Sequence, residues 1–195
     1  VETERVDALS IECVGAIAER YESCGAIYSS LPHVDPKFVE SLRHIIDGDV
    51  MTLTPSSPLP VKIDYRSPKS LGTDRIAAVA GAWRLFAGRP MLVVDAGSAL
   101  TIDVIDAQGV FRGGNISPGI DMRLKALHSF TDRLPEVDRE GDLPEFGVDT
   151  VTALRCGAVR GAAAEIIQAF EVAKSLYGCD AIALTGGNAR MLAEV

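Results

Sequence analysis

The stretch from Leu92 to Asp106, LVVDAGSALTIDVID, constrains the fold of this chain more than any other. The segment Met91–Asp95 is apolar up to its terminal acid, a turn follows, and Ala99–Ile105 alternates between apolar and polar side chains. The segment Val110–Gly113 follows after another short turn. Short apolar or alternating runs between tight turns predict antiparallel strands. The sequence therefore predicts an antiparallel meander that opens the second half of the chain.

The tip of the predicted hairpin, residues 96–98, carries residue types that suit an anionic ligand. Gly97 has no Cβ, so the backbone there can approach a ligand closely. Backbone amides and the Ser98 hydroxyl are donors that fit phosphate oxygens. Asp95, at the end of the strand, is placed to hold a cation directly or through water. An ordinary polar turn has the same composition, so the tip alone leaves both interpretations open.

Alternation along the strand after the tip predicts two different faces. Leu100, Ile102 and Val104 share the face that we expect in the core, because side chains two residues apart point to the same side of a strand. Thr101 and Asp103 lie on the opposite face, which we expect to be polar and to line a cleft.

Periodicity elsewhere predicts a mixture of helices and strands. The predicted helices cover 6–21, 36–47, 71–87, 117–130, 151–176 and the residues from 188, and the further predicted strands cover 24–30, 50–54 and 180–187. Asp35 and Pro36 form a helix-start signal. Proline-rich residues 55–68 and polar residues 132–147 are predicted loops. Set side by side, 1–89 and 90–195 predict two duplicated domains, the first lacking an opening meander.

Composition excludes several classes of function. A formal net charge of −8 argues against a general nucleic-acid binder, which carries a basic surface. No apolar run approaches the roughly 20 residues that span a bilayer, and the first ten residues show no signal-peptide pattern. The four cysteines and three histidines are scattered along the chain, so a zinc site is not expected. The cysteines are expected to be reduced thiols in a cytoplasm.

A second polar cluster lies in the segment YRSPKSLGTDRIAAVAGAW, residues 65–83. Thr73 occupies a predicted N-cap, which places Asp74 and Arg75 in the first helical turn. An acid there is favoured by the helix dipole whatever the function, whereas a cation is mildly unfavourable. The pair therefore suits a pocket for a polar, anionic small molecule. An ionised Asp can also accept the proton of a hydroxyl that attacks phosphorus.

A third cluster is LTGGNA, residues 184–189, between a predicted strand and a predicted helix. Its paired glycines, Gly186 and Gly187, would let a flat ring lie against the backbone. A tight strand-to-helix turn would need the same residues, so this signal is weak when taken alone.

Together, and in this order, the three clusters resemble the type III pantothenate kinases of the acetate and sugar kinase/Hsp70/actin superfamily. The resemblance covers essentially the whole chain, and the combination of Leu-Gly-x-Asp-Arg with Asp-x-Gly is its specific part. The matching positions are Tyr65, Pro68, Leu71–Arg75, Asp95–Thr101, Gly113–Gly119, Asp149–Thr150 and Gly186–Gly187.

The resemblance implies an α/β fold of two duplicated ribonuclease H-like (actin-like ATPase) domains. It also implies ATP-dependent phosphorylation of pantothenate to 4'-phosphopantothenate, the first step of coenzyme A synthesis. The chain is then expected to be cytoplasmic, to act as a homodimer with a shared active site, and to bind neither nucleic acid nor membrane.

Site roles follow from the same resemblance. Asp74 is the expected proton acceptor, and Asp95 is expected to bind a monovalent cation, K⁺ or NH₄⁺. Mg²⁺ is expected to accompany the nucleotide. The expected pantothenate group comprises Tyr65, Gly72, Thr73, Asp74, Arg75 and, from the partner subunit, Thr150; the expected ATP group comprises Gly97, Ser98, Gly186 and Gly187.

The sequence departs from the family pattern at several positions. Ser98 and Leu100 each replace a Thr, and Asp149 replaces an Asn. The N-terminal Asp-x-Gly-Asn-Thr phosphate loop of the family is absent from this sequence, so the chain as given is expected to bind ATP poorly and turn over little.

Two alternatives stay open at this stage. A non-catalytic relative that acts as an accessory, transcription-linked binding protein would keep the pockets without turnover; the presence of both Asp74 and Asp95 favours the enzyme. A generic sugar or acetate kinase fits the hairpin but not the cluster around Tyr65. The enzyme hypothesis requires Asp74 and Asp95 to converge on one crevice.

Overall fold

The computed structural model describes residues 9–21, 25–29 and 35–195, and contacts divide the chain into two units. The first unit holds residues up to 58 together with 72–74, and the second holds 59–71 and 75–195. This division rests on contacts and not on duplication, so the domains 1–89 and 90–195 stay a prediction. The mixed α/β class is confirmed.

Helices and strands alternate in the first unit, as its sequence predicts, and the structure shows that the two strands are parallel. Asp35 caps the second helix, because its carboxylate accepts a hydrogen bond from the Lys37 backbone N–H at 2.9 Å. Residues 24 and 30 of the strand predicted over 24–30 lie outside the described residues. The part that is described is less buried than expected, since Ile27 is 67% exposed. Residues 6–8 of the first predicted helix lie outside the described residues. The elements are α1 Ile11–Tyr21, β1 Gly25–Tyr28, α2 Pro36–Ile45 and β2 Asp49–Thr52, with β1 parallel to β2.

A five-stranded sheet forms the centre of the second unit. Its strands are β3 Lys62–Ile63, β4 Met91–Ala96, β5 Ala99–Ile105, β6 Val110–Pro118 and β7 Ala181–Thr185, in the order β3-β6-β5-β4-β7. The antiparallel meander of β4, β5 and β6 is confirmed. The two outer strands pair in parallel, β3 with β6 and β7 with β4. The ends of β4 and β7 therefore lie side by side.

Helices lie on both faces of this sheet. The main core packs Leu92, Val94 and Ile102 of the sheet against the long helix α5. On the other face lies α3, whose buried side chains include Ile76 and Val79. The helices are α3 Thr73–Leu85, which begins in the first unit, α4 Ile120–Ser129, α5 Thr150–Tyr177 and α6 Ala189–Ala193.

Three local predictions are wrong. Ser117 and Pro118 do not open a helix; they end β6, and Gly119 is the N-cap of α4. The strand predicted over 180–187 is not buried, because β7 lies at the sheet edge and Ile182 is 39% exposed. Residues 71 and 72 precede α3 instead of belonging to it.

The turn between β5 and β6 is fixed by a buried acid. The Asp106 carboxylate accepts hydrogen bonds from the backbone N–H groups of Gln108 and Val110 and from Arg112 Nε. Among the described residues, no helix combines the length and hydrophobicity needed to cross a membrane.

Candidate active site

Asp95 lies where β4 and β7 end together. It pairs with Thr185 of β7 on one side and with Thr101 of β5 on the other. Its Oδ1 atom lies 3.6 Å from the position that a Cβ on Gly97 would occupy, and 2.4 Å from the corresponding position on Gly186. The structure thus brings together the predicted cation-binding acid, the hairpin tip and the predicted nucleotide turn.

Gly186 is required at this junction for two reasons. Its φ of +93° lies in a region that favours glycine. A Cβ would also fall 2.6 Å from the Ala96 carbonyl carbon, in addition to its clash with Asp95. The backbone N–H of Asn188 donates to the Ala96 carbonyl at 2.9 Å, which fastens the Gly186–Gly187 turn to the end of β4. Gly187 is exposed beside it.

The hairpin tip is supported from behind by Gly119. Its backbone N–H donates to the Ser98 carbonyl at 3.1 Å, and a Cβ there would lie 2.3 Å from the Gly97 carbonyl oxygen. The tip therefore rests directly on the start of α4, while the Ser98 side chain is exposed. An exposed hydroxyl at a rigid tip can donate to an anionic ligand.

The polar face of β5 does not line a cleft, which corrects the sequence prediction. Thr101 and Asp103 are both buried, and Asp103 is only 1% exposed. The Arg75 guanidinium, 4% exposed, covers Asp103: its Nε lies 3.1 Å from each carboxylate oxygen, and its Nη2 also contacts Oδ1. The opposite face is core as predicted, since Leu100 and Ile102 are buried.

Tyr65 completes a cluster with this ion pair. The Arg75 Cζ atom lies 5.8 Å from the centroid of the Tyr65 ring and 5.6 Å from that of Phe111. Burial by itself lowers the pKa of Arg75, but the hydrogen bond and charge of Asp103, with a smaller contribution from the Tyr65 hydroxyl, outweigh burial and raise it. The Tyr65–Arg75–Asp103 cluster thus carries a permanently charged guanidinium that is already paired.

The first-unit part of the predicted site is Gly72, Thr73 and Asp74. Thr73 is the first residue of α3, where the sequence predicted an N-cap, and its hydroxyl accepts a hydrogen bond from Ser29 Oγ at 2.8 Å. Asp74 is exposed, with Oδ1 folded to within 2.3 Å of the position a Cβ on Gly72 would take. Because Asp95 belongs to the second unit, convergence of the two acids stays a prediction.

Thr150 is exposed as the first residue of α5, which matches its predicted place at a helix start. Asp149 caps this helix: its carboxylate accepts from the Thr152 backbone N–H at 2.8 Å. That hydrogen bond, supported by the Thr152 hydroxyl, lowers the pKa of Asp149. An acid is therefore compatible with the position where the family pattern has Asn.

Among the described residues, no group of three or more His, Cys, Asp or Glu side chains could hold a metal ion. Mg²⁺ characteristically keeps several waters and binds one or two carboxylates together with substrate phosphates. Asp95 supplies one carboxylate beside the hairpin tip, so a cation there would need further ligands from water or phosphate. The Gly97 N–H is not free for a ligand, because it donates to the Ala99 carbonyl at 3.1 Å.

The sequence did not reveal the buried partner of Asp103 or the close approaches at two glycines. Gly114 lies opposite Asp103 in the register, and a Cβ on it would fall 2.4 Å from Asp103 Oδ1. Gly119 supports the hairpin tip. The available signal was the motif Gly113–Gly119, whose glycines lie where β6 and the start of α4 meet residues of the site.

Known proteins resemble this chain in sequence and in fold. The sequence profile described as Type III pantothenate kinase matches residues 2–171. A type III pantothenate kinase of Phocaeicola vulgatus is 38% identical over 191 residues, covering 96% of this chain and 77% of that protein. One from Bacteroides fragilis is 40% identical over 179 residues, covering 92% and 73%. A solved structure described as a conserved Baf family transcriptional activator from Campylobacter jejuni shares 26% identity and a TM-score of 0.61, covering 95% of this chain and 77% of that one.

Proposed function

This chain belongs to the type III pantothenate kinase family, and we propose that it transfers the terminal phosphoryl group of ATP to pantothenate, giving 4'-phosphopantothenate for coenzyme A synthesis. The observation that carries this proposal is the junction of Asp95, Gly97 and Gly186 at one end of a sheet, in a chain of this family. Phosphoryl transfer depends mainly on positioning and on electrostatic stabilisation, which such a junction can supply.

On the acceptor side, Asp74 is the proposed general base. It is exposed, and a carboxylate within reach of a hydroxyl can take its proton as the oxygen attacks phosphorus. Tyr65 is proposed to recognise pantothenate together with Gly72, Thr73 and, from a partner subunit, Thr150. Arg75 is proposed to support this site from behind Tyr65, since its guanidinium is buried and already paired with Asp103. The hydrogen bond between Ser29 and Thr73 supports a fixed start for α3.

On the nucleotide side, Gly97 and Ser98 are proposed to contact the phosphates, and Gly186 and Gly187 to face the adenosine. Asp95 is proposed to hold K⁺ or NH₄⁺. When bound, this cation and Mg²⁺ neutralise charge on the phosphates. The rigidity of the junction, fixed by the Asn188 hydrogen bond, supports this assignment.

A homodimer in the cytoplasm is part of the same proposal. Two exposed apolar side chains near the end of α5, Val172 and Leu176, lie on the same side of the helix because they are four residues apart, and they support a surface that a second copy covers. The net charge of −8 is compatible with small-molecule substrates instead of nucleic acid. The duplicated ribonuclease H-like architecture, with domains 1–89 and 90–195, is likewise proposed.

A coupled ADP-release assay on the native-length protein tests the function. We expect turnover with pantothenate but not with sugars or acetate, and dependence on K⁺ or NH₄⁺ over Na⁺. Asp74→Asn should lower kcat by about 10²- to 10⁴-fold with an unchanged circular dichroism spectrum, because the base is lost and the exposed side chain carries little packing. Full activity of Asp74→Asn would exclude Asp74 as the general base. Equal turnover with every acceptor would refute the proposal that pantothenate is the substrate.

One alternative has an observation in its favour, the likeness to the structure described as a Baf family transcriptional activator. It predicts an accessory, transcription-linked binding protein in which pantothenate or nucleotide binds without reaction. Calorimetric binding of pantothenate with no ADP release, in the presence of K⁺ and Mg²⁺, would favour it over the kinase.

A further inference from the structure

The Tyr65–Arg75–Asp103 cluster contains an acid that the proposed mechanism does not use. Asp103 is 1% exposed, so its carboxylate cannot touch a substrate. Stability alone is a weak reason for such a pair, since well-packed apolar residues often replace a buried ion pair without loss. Its geometry points to another task.

Asp103 fixes the orientation of Arg75. Arg75 Nε lies 3.1 Å from both carboxylate oxygens, and the guanidinium is planar, so these contacts orient the whole group. Gly114 provides the space for this arrangement, because any larger residue would place an atom 2.4 Å from Asp103 Oδ1. The pair is therefore built into the strand register.

Arg75 and Phe111 in turn hold the Tyr65 ring. Tyr65 follows β3 in a segment without helix or strand, so regular backbone pairing does not fix it. Its ring centroid lies 5.8 Å from both the Arg75 Cζ atom and the centroid of the fully buried Phe111 ring. Tyr65 itself is only half-buried and thus has the surface that the ion pair lacks.

We propose that Asp103 is a positioning residue for the pantothenate site, acting through Arg75 on Tyr65. This inference rests on the proposed function. Tyr65 is then the member of the cluster that touches pantothenate, and Arg75 serves from behind it. Recognition of the substrate by the cluster depends on a fixed ring and hydroxyl, and not on an unpaired cation.

A double-mutant cycle on the native-length protein tests the proposal. Asp103→Asn should raise KM for pantothenate by about tenfold while KM for ATP stays the same, since coupled neighbours interact at this level. In a Tyr65→Ala background the same substitution should add nothing further. Ile102→Ala, on the same strand but facing α5, is the matched control: it should lower the thermal midpoint and leave both KM values unchanged.

The outcomes separate the inference from the function. Normal turnover with an unchanged KM for pantothenate in Asp103→Asn, or additive effects with Tyr65→Ala, would overturn the inference alone. Absence of pantothenate-dependent turnover in the unsubstituted protein would overturn both.

A spectroscopic measurement serves if Asp103→Asn does not fold. The Nε–H resonance of Arg75 should shift when pantothenate is added to the unsubstituted protein. The Nε–H resonance of Arg155 on α5, which donates to the Asp138 carbonyl at 3.0 Å, should not shift. A stationary Arg75 resonance, while backbone resonances elsewhere titrate with pantothenate, would refute the proposal.

Discussion

Gly186 offers a sharp test of the junction between β4 and β7. In Gly186→Ala, the added methyl group would lie 2.4 Å from Asp95 Oδ1 and 2.6 Å from the Ala96 carbonyl carbon, closer than real Cβ contacts. Both neighbours belong to the end of β4, so the substitution must displace either the turn or Asp95. We expect a loss of stability and a loss of nucleotide-dependent activity together.

The size of the stability effect follows from two contributions. An L-residue with positive φ costs about 1–2 kcal/mol, and forcing an extra methyl group into a filled space costs about 1–3 kcal/mol. Gly186→Ala should therefore lower the free energy of unfolding by about 2–5 kcal/mol. Gly178→Ala is the matched control, because Gly178 also has positive φ but nothing lies within 4 Å of its Cβ position. It should lose about 1–2 kcal/mol.

Urea unfolding followed by tryptophan fluorescence measures both variants. Trp83 is the single tryptophan of the chain and packs against Gly88 and Gly109, so its emission reports on the second unit. If Gly186→Ala loses no more stability than Gly178→Ala, the close approach between Gly186 and Asp95 is not present in solution. The ADP-release assay should separate the same pair, with Gly178→Ala retaining activity.

Two further predictions concern acids. Gly72→Ala should lower kcat with little change in stability, because the new methyl group meets only the movable end of the Asp74 side chain. Steady-state kinetics measure kcat and a thermal melt measures stability. An unchanged kcat would contradict the prediction. Burial alone raises the pKa of Asp106, but hydrogen bonds from Val110, Arg112 and Gln108 outweigh it and leave that pKa lowered. The contribution of ionised Asp106 to the free energy of unfolding is therefore complete at neutral pH and is lost as pH falls below about 4. As pH is lowered from 7 to 3, the urea midpoint of Asp106→Asn should fall less steeply than that of the unsubstituted protein. Parallel pH dependences of the two midpoints would refute this prediction.

Local patterns were enough to predict the antiparallel hairpin. Period-two alternation from Ala99 to Ile105 and the short turns on either side leave few other structures for this segment. The Asp35 cap succeeded for the same reason, since its hydrogen bond to Lys37 spans two residues and depends on nothing distant. The residue types at Asp95, Gly97 and Gly186 also marked the positions that meet at the junction.

Long-range partners explain what the sequence did not reveal. An acid on the polar face of a strand has the same pattern whether it meets solvent or a buried cation, and the partner of Asp103 lies 28 residues away. Ser117 and Pro118 carry a genuine helix-start signal, but pairing with β5 extends the strand through them. The edge position of β7 follows from its pairing with β4 alone, and the apolar residues of β7 do not predict how many strands pair with it.

The contact of Gly119 with Gly97 and Ser98 links the start of α4 directly to the hairpin tip. The Gly119 carbonyl accepts the Arg123 backbone N–H, so a push on the Ser98 side reaches the first turn of the helix through two consecutive hydrogen bonds. Amide hydrogen exchange at Arg123 would then slow when an anion occupies the tip, although that amide is not part of the ligand-binding surface. Exchange at this amide would therefore measure binding at the hairpin tip without any change to the residues of the site.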